Sequence, residues 1–356
     1  MILAGTRTRS IWVNPDGWSV GIFDQRKLPW SVEPMRLTTA DECAHAIADM
    51  ATRGAPLIGA VAAYGLALAL RVDAGDEALD RAYRQLLATR PTAVNLKWAL
   101  DRVRAVVARV PEQDRAAAAY ADAAALCDED VAINEAIGRA GLEILKDLAA
   151  RNPDRPLNIL THCNAGWLAT VDWGTATAPL YMAHDLGIPL HVWVDETRPR
   201  NQGALTALEL AGHGVPHSYI VDNAGGLLMQ RGQVDLVIVG TDRVTRNGDV
   251  CNKIGTYLKA LAAHDNGIPF VVALPSSTYD ANTADGASVH VEERVASEVL
   301  SIEGPDRDGV LRRIAVTASP AANPAFDITP ARLVSEYITD KGRIVGAAAL
   351  AKAFGG

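Results

Sequence analysis

The second half of the chain alternates five strongly apolar runs with helical stretches, and this alternation restricts its fold more than any other feature. The runs are LNILTH from residue 157, LHVWVDE from 190, HSYIVD from 217, VDLVIVG from 234 and PFVVALP from 269. Near-continuous apolar strands separated by helices are typical of a parallel sheet covered by helices on both faces. Because crossovers between parallel strands are right-handed, the pattern predicts a Rossmann-like, doubly wound α/β domain.

The first 150 residues follow a different pattern. Short β-prone pieces occur up to about residue 35, and helical sequence follows from Thr39 onward. The uncharged stretch 54–70 is short for a membrane span and rich in Ala and Gly, so we expect a buried core helix there. The segment RNPDRPLN, beginning at Arg151, predicts a boundary between an N-terminal domain of small strands and helices, 1–150, and the Rossmann-like domain, 151–356.

Polar residues follow each predicted strand of the second domain. They are His162-Cys163-Asn164, Asp195-Glu196-Thr197-Arg198, Asp222-Asn223, Thr241-Asp242-Arg243 and Pro275-Ser276-Ser277. In open α/β sheets, ligands bind outside the carboxyl ends of the strands. Five polar segments meeting at one edge therefore predict an active site there.

Two of these residues are candidates for catalysis. Cys163 lies in the stretch THCNAG, and a thiol near a helix N-terminus or a cation is stabilised as a thiolate. The alternative is an ordinary buried cysteine. Asp242 follows a strand buried on both faces, where burial favours the protonated form and suits a general acid. It could instead cap a helix or pair with Arg243 or Arg246.

Other residues are candidates for binding an anionic ligand. Asn252 and Lys253 are expected at a helix start, where backbone N–H groups and an ammonium can hold phosphate. Arg53 and Arg90 can grip phosphate through their guanidinium groups, or pair with a carboxylate instead. Gln202 opens a helix and could hydrogen-bond a sugar hydroxyl, or merely lie at the helix terminus.

Composition and missing motifs exclude several classes of function. A net charge of −8, from 42 acidic and 34 basic residues, argues against general nucleic-acid binding. A G-x-G-x-x-G fingerprint is absent after the first strand, which argues against a dinucleotide oxidoreductase. The four cysteines have neither zinc-ligand nor redox-motif spacing, and the N-terminus lacks the apolar core of a secretory signal. A cytoplasmic location is expected.

Five strings together resemble the methylthioribose-1-phosphate isomerases: RGAPLIG, RPTAVNL, THCNAG, DETRPRNQGA and GTDRVTRNGDVCNKIGTY. They cover about residues 50–260, and the general layout fits the whole chain. The resemblance implies the two-domain fold above and a homodimer that uses neither metal nor organic cofactor. It also implies a small sugar-phosphate substrate, 5-methylthioribose 1-phosphate, converted to 5-methylthioribulose 1-phosphate in methionine salvage.

Carried over from the family, the catalytic residues fall on Cys163 and Asp242. The substrate-binding positions fall on Arg53, Gly54, Ala55, Arg90, Gln202, Asn252 and Lys253. The chain departs from the family at Thr241 and Cys251, where alanine is more usual, and these small changes leave the catalytic assignment intact. Two alternatives share the fold: an isomerase of a related pentose phosphate, such as 5-deoxyribose 1-phosphate or ribose 1,5-bisphosphate, and a non-catalytic regulatory subunit of the translation-initiation exchange factor.

Overall fold

The computed structural model describes residues 1–3, 5–90 and 93–355. Pro91 and Thr92 of the RPTAVNL string lie outside the described residues. The N-terminal half contains strands β1 (Ile2–Leu3), β2 (Thr6–Arg7), β3 (Ile11–Val13), β4 (Val20–Phe23) and β5 (Pro34–Leu37). Helices α1 (Ala40–Ala48), α2 (Ala55–Val72), α3 (Asp76–Thr89), α4 (Val94–Val107) and α5 (Arg115–Arg151) follow. The predicted order of short strands and then helices is confirmed.

Helix α2 lies at the centre of the N-terminal half. Thirteen of its eighteen residues are buried, and helices α1, α3, α4 and α5 pack around it. By length and composition α2 could cross a membrane, but 72% of it is buried inside the protein. It is therefore packed as a core helix, as the sequence predicts.

The second half contains thirteen strands and six helices in the described chain. The strands are β6 (Leu157–Thr161), β7 (Leu190–Asp195), β8 (His217–Ile220), β9 (Leu236–Val239), β10 (Arg243–Thr245), β11 (Val250–Lys253), β12 (Phe270–Ala273), β13 (Tyr279–Asp280), β14 (Ser301–Pro305), β15 (Leu311–Ala315), β16 (Phe326–Thr329), β17 (Glu336–Thr339) and β18 (Gly342–Ile344). The helices are α6 (Ala178–Asp185), α7 (Gly203–His213), α8 (Ala224–Gln230), α9 (Thr256–Asp265), α10 (Ser297–Leu300) and α11 (Ala347–Phe354).

The main sheet has seven strands in the order β18-β17-β12-β9-β6-β7-β8. All neighbouring strands are parallel except the edge pair β17–β18. Alternate residues of a strand enter two separate cores: Val271 of β12 faces one core, whereas Val272 faces the other. Because both faces are buried, the strands are almost continuously apolar. The predicted doubly wound α/β fold is confirmed.

Two smaller sheets in this half are separate from the main one. Strands β13-β10-β11-β16 form a mixed sheet that follows the carboxyl end of β9, and β14 pairs with β15 in a separate hairpin. The mixed sheet brings strand β16 beside β11, about 75 residues earlier in the chain. The domain boundary at residue 151 stays a prediction, although α5 ends there.

Candidate active site

A pocket opens where the carboxyl ends of the main-sheet strands meet the N-terminal half. Its lining includes all nine residues predicted from the sequence: Arg53, Gly54, Ala55, Arg90, Cys163, Gln202, Asp242, Asn252 and Lys253. Segments after β6, β7, β9 and β12 contribute to it, and the start of α2 closes one side. Cys163 and Asp242, which are separated by 79 positions in sequence, therefore face one cavity.

Cys163 is held in an unusual backbone conformation. Its φ is 69°, in the left-handed region that residues other than glycine seldom adopt. The Cys163 N–H donates to Thr197 Oγ1 at 2.8 Å, and Thr206 Oγ1 donates to the Cys163 carbonyl at 2.9 Å. Such conformations cost about 1–3 kcal/mol and concentrate at functional sites. The two threonines thus hold the thiol towards the pocket.

Within the described residues, no α-helix begins directly after Cys163, so a helix N-terminus does not stabilise a thiolate there. The chain forms only a short 3-10 turn, Trp167–Ala169, before α6 begins at Ala178. Burial raises the pKa of the Cys163 thiol, and Asp242 raises it further, against the opposing effect of Lys253 and Arg53. The surroundings therefore favour the protonated thiol rather than a resting thiolate.

Asp242 follows strand β9 and is anchored through its backbone, because its N–H donates to the Cys251 carbonyl at 3.0 Å. Burial raises the pKa of the Asp242 carboxyl, while Arg90 and Lys253 act in the opposite direction. The predicted direction of this shift is confirmed. A protonated carboxyl in a cleft can donate a proton to a bound sugar.

Asn252 and Lys253 do not start a helix, contrary to the sequence prediction. They end strand β11, and helix α9 begins three residues later at Thr256. The Asp327 carboxylate already accepts from the N–H groups of Gly255 and Tyr257 at 2.7 and 3.1 Å. The N-terminus of α9 is thus occupied by a carboxylate, and the Lys253 side chain alone brings positive charge to the pocket from this segment.

Three pocket cations have no carboxylate partner within 4 Å among the described residues: Arg53, Arg90 and Lys253. Burial lowers the pKa of all three, that of Arg53 to about 10. The buried Arg90 Nε also lacks a hydrogen-bond partner in the described chain. Because unpaired buried charge is costly, this arrangement favours a bound anion.

The N-terminus of α2 adds to this anion site. Gly54 precedes the helix with φ of 100°, and a Cβ on it would lie 2.3 Å from Ala169 Cα. Only glycine allows the helix to start against that turn. Ala55 then begins the helix at the pocket wall, and the described chain places no side-chain cap on it. Helix N-termini with free N–H groups favour negative ligands.

Beneath the pocket lies an ion-pair network that the sequence analysis missed. His162 Nδ1 lies 3.0 Å from Asp195 Oδ2, and His162 Nε2 lies 2.8 Å from the Ile254 carbonyl oxygen. Lys259 Nζ also lies 3.0 Å from Asp195 Oδ2. This network joins β6, β7 and the turn after Lys253. The polar composition of the strand ends was visible in the sequence, but its buried partner Lys259 was not.

Asp195 and Asp222 were expected at the edge of the active site, and the structure places their carboxylates elsewhere. Asp195 lies in the buried network, and Asp222 accepts from the N–H groups of Thr197 and Arg198, both at 2.8 Å. Candidate ligand atoms of His162, Asp195 and Asp222 lie within 4.8 Å of one another. Lys259 already supplies the positive charge there, so these residues fit an ion-pair network better than a metal site.

Two further arginines of the pocket were also missed. Arg200 and Arg294 line it, and each pairs with Glu298 of α10, at 2.7 and 2.8 Å. Arg200 stands in the DETRPRNQGA string, whereas nothing in the sequence around Arg294 marked it. Among the described residues, the pocket therefore has three cations without a carboxylate partner and two that are paired with carboxylates.

Comparison with known proteins identifies the family. Residues 51–346 match the model of the Initiation factor 2 subunit family. The chain is 61% identical to the methylthioribose-1-phosphate isomerase of Rhodospirillum centenum, covering 96% of this chain and 92% of that protein. It is 63% identical to the enzyme of the same name from Acidiphilium cryptum, covering 96% and 94%.

Solved structures agree with this placement. A 5-methylthioribose 1-phosphate isomerase from Pyrococcus horikoshii superposes with a TM-score of 0.85 at 39% identity, over 98% of this chain and 96% of that one. A chain described as translation initiation factor eIF-2B, subunit delta, from A. fulgidus superposes with a TM-score of 0.82 at 37% identity, over 98% of this chain and 100% of that one. The chain therefore belongs to the initiation factor 2 subunit family and, within it, to the methylthioribose-1-phosphate isomerases.

Proposed function

We propose that this chain converts 5-methylthioribose 1-phosphate to 5-methylthioribulose 1-phosphate, an aldose–ketose isomerisation of methionine salvage. The observation that carries the proposal is one pocket in which Cys163 and Asp242 face the same cavity beside three cations that lack a carboxylate partner in the described part of the chain. Relatives about 60% identical over nearly the whole chain are named for this activity. The cations suit a sugar phosphate, whose phosphate carries a charge of about −1.5 to −2 at pH 7.

Binding of the phosphate is the first requirement of the reaction. The substrate carries phosphate on its anomeric carbon, so its ring does not open as a free hemiacetal does. Arg53, Arg90 and Lys253, with the first turn of α2, hold the phosphate in a fixed orientation. Fixing the phosphate restricts the sugar atoms that must react and reduces the entropic part of the barrier.

Ring opening is assigned to Asp242. Burial raises the pKa of this carboxyl and so favours its protonated form, which transfers its proton to the ring oxygen as the bond from this oxygen to C1 breaks. The ring oxygen leaves as a hydroxyl, C1 becomes electron-poor, and Asp242 is left as a carboxylate. That carboxylate lies beside Arg90 and Lys253, which stabilise its charge.

Transfer of hydrogen from C2 to C1 can follow two routes. In the first, a Cys163 thiolate removes the C2 proton, an enediolate-type intermediate with the phosphate on its C1 oxygen forms, the thiol returns a proton to C1, and the C2 hydroxyl passes its proton to the Asp242 carboxylate as the ketone forms. In the second, hydride moves directly from C2 to C1, and the C2 hydroxyl loses its proton to Asp242 or Cys163 as the ketone forms. The raised pKa of Cys163 favours the second route, because the first needs the thiolate.

The activity is tested by incubating the purified chain with 5-methylthioribose 1-phosphate and following ketose formation by NMR. Sustained turnover supports the proposal, and binding without turnover contradicts it. The same reaction in D₂O separates the routes. Substantial deuterium at product C1 contradicts hydride transfer, whereas full retention of hydrogen is the result expected for it. Parallel reactions with 5-deoxyribose 1-phosphate test the related-substrate alternative.

We also propose that the chain acts as a cytoplasmic homodimer, which is what the family resemblance implies. All four cysteines are free in the structure, which suits a reducing compartment. Sedimentation equilibrium measures the assembly, and a monomer at micromolar concentration contradicts the dimer. Fractionation of the native host, followed by detection with an antibody to the chain, tests the location.

A further inference from the structure

The five cationic side chains that line the pocket differ in whether a carboxylate pairs with them. Arg53, Arg90 and Lys253 have no carboxylate partner within the described chain, whereas Arg200 and Arg294 share the carboxylate of Glu298. All five line the same cavity. One carboxylate, that of Glu298 on the short helix α10, is common to both paired arginines.

The bonds of Glu298 leave little freedom for either arginine. Its Oε1 accepts from Arg200 Nη1 at 2.7 Å and from Arg294 Nη2 at 2.8 Å. Its Oε2 accepts from Arg294 Nε at 3.0 Å and from Asn323 Nδ2 at 2.9 Å. Although burial opposes ionisation, the bonds from Arg294, Arg200 and Asn323 lower the pKa of Glu298 to about 2. The carboxylate is thus ionised near neutral pH.

Two other neighbours, Glu292 and Met50, also contact the Arg294 guanidinium. Its Nη1 lies 3.1 Å from Glu292 Oε1, and its Nη2 lies 3.8 Å from the sulfur of Met50, which also lines the pocket. Hydrogen-bonded carboxylates and a thioether therefore surround this guanidinium. A ligand phosphate could reach it only by displacing a charge-assisted hydrogen bond, which is among the stronger hydrogen bonds in proteins.

The charges available to a ligand match one phosphate. Three unpaired cations and a helix N-terminus face a group with a charge of about −2, whereas a pentose with two phosphates would bring about twice that charge. We propose that Glu298 is a specificity-determining residue that withholds Arg200 and Arg294 from the ligand and so restricts the pocket to pentoses with a single phosphate. This inference rests on the proposed sugar-phosphate function.

The test is Glu298→Gln, which keeps the shape of the side chain and removes its charge. Dissociation constants are measured by calorimetry for two probes, ribose 1-phosphate and ribose 1,5-bisphosphate, with wild-type and variant protein. We expect the preference for the bisphosphate over the monophosphate to rise about tenfold or more, since one freed charge-assisted bond contributes that much. The matched control is Glu303→Gln, which makes the same charge change on the exposed hairpin, where Glu303 pairs with Arg313. It should leave both constants unchanged.

Two outcomes overturn the inference. An unchanged ratio shows that Glu298 does not set the preference, and equal tightening of both probes shows that the arginines serve the single phosphate. Thermal unfolding monitors the fold of Glu298→Gln. A second variant, Arg200→Gln, tests the inference whether or not Glu298→Gln folds. Its affinity for ribose 1-phosphate should stay within about twofold of wild type, and a loss of tenfold or more refutes the inference.

The readouts separate this inference from the proposed function. Both probes report binding and need no turnover, whereas wild-type conversion of 5-methylthioribose 1-phosphate tests the activity. Absence of ketose together with the expected change in preference would reject the activity and keep the role of Glu298. Turnover together with an unchanged preference would support the activity and reject the role of Glu298.

Discussion

The hydroxyl of Thr197 offers the sharpest test of how Cys163 is positioned. Thr197 is fully buried, and its Oγ1 accepts from the Cys163 N–H at 2.8 Å and donates to the Asp195 carbonyl at 3.1 Å. Thr197→Val keeps the shape and the branched Cβ, so the strain of its φ of 60° is present in both proteins. The substitution therefore removes two hydrogen bonds and little else.

The expected loss of stability follows from the buried polar groups that lose their hydrogen-bond partners in Thr197→Val. The Cys163 N–H loses its acceptor in a buried position, and an unsatisfied buried donor costs about 1–3 kcal/mol. We expect the free energy of unfolding in urea to fall by that amount. Displacement of the thiol should also lower kcat, by about 10²-fold for a shift of about 1 Å, with a smaller change in KM.

Thr329→Val is the matched control for this prediction. Thr329 is equally buried, but its hydroxyl has no hydrogen-bond partner among the described residues. Replacing that hydroxyl by a methyl group should leave the free energy of unfolding unchanged or raise it, because an unpaired polar group is removed. Equal losses in both variants, or wild-type stability and kcat in Thr197→Val, would refute the reasoning.

Three further predictions follow from the site and its surroundings. Cys163→Ser and Asp242→Asn should each lower kcat by about 10²-fold or more while substrate affinity, measured by calorimetry, is retained; near-wild-type turnover removes that residue from the mechanism. Lys253→Met should weaken substrate binding about tenfold or more yet raise the thermal unfolding midpoint, because it removes an unpaired buried cation; an unchanged dissociation constant rejects its phosphate role. Burial raises the pKa of Asp130 from 3.8 to about 7, so the folded state binds more protons than the unfolded state between these values and stability falls as pH rises through this window. Asp130→Asn should flatten that fall in urea unfolding measured from pH 4 to 8, and an unaltered slope contradicts the assignment.

Much of the site could be predicted because the residues lie next to strong local patterns. Cys163 and Asp242 each follow an apolar run that is recognisable as a buried strand, and such strands direct their carboxyl ends to one edge of the sheet. Gly54 and Ala55 stand at a helix start marked by Pro56. The corresponding local structure was right, and these residues line one pocket. Their catalytic and binding roles stay predictions.

The errors occurred where contacts distant in sequence decide the structure. Lys253 lies on a strand rather than a helix, because β11 pairs with β16, whose residues are about 75 positions away. The same pairing brings Asp327 to the N-terminus of α9. A helix terminus beside Cys163 was one condition for a thiolate, but the segment after it forms a short 3-10 turn, and burial raises the pKa of the thiol.

By itself, the sequence determined the doubly wound sheet and nine of the residues that line the pocket, because hydrophobic periodicity and short motifs act within a few positions of the chain. Only the tertiary structure decided which charges are free. Arg53 and Arg200 look alike in sequence, yet Arg53 has no carboxylate partner where the structure describes the chain, and Arg200 is paired with Glu298, nearly a hundred positions away. Coulombic attraction acts through space and desolvation depends on the whole fold. Local sequence therefore does not predict which charged side chains are available to a ligand.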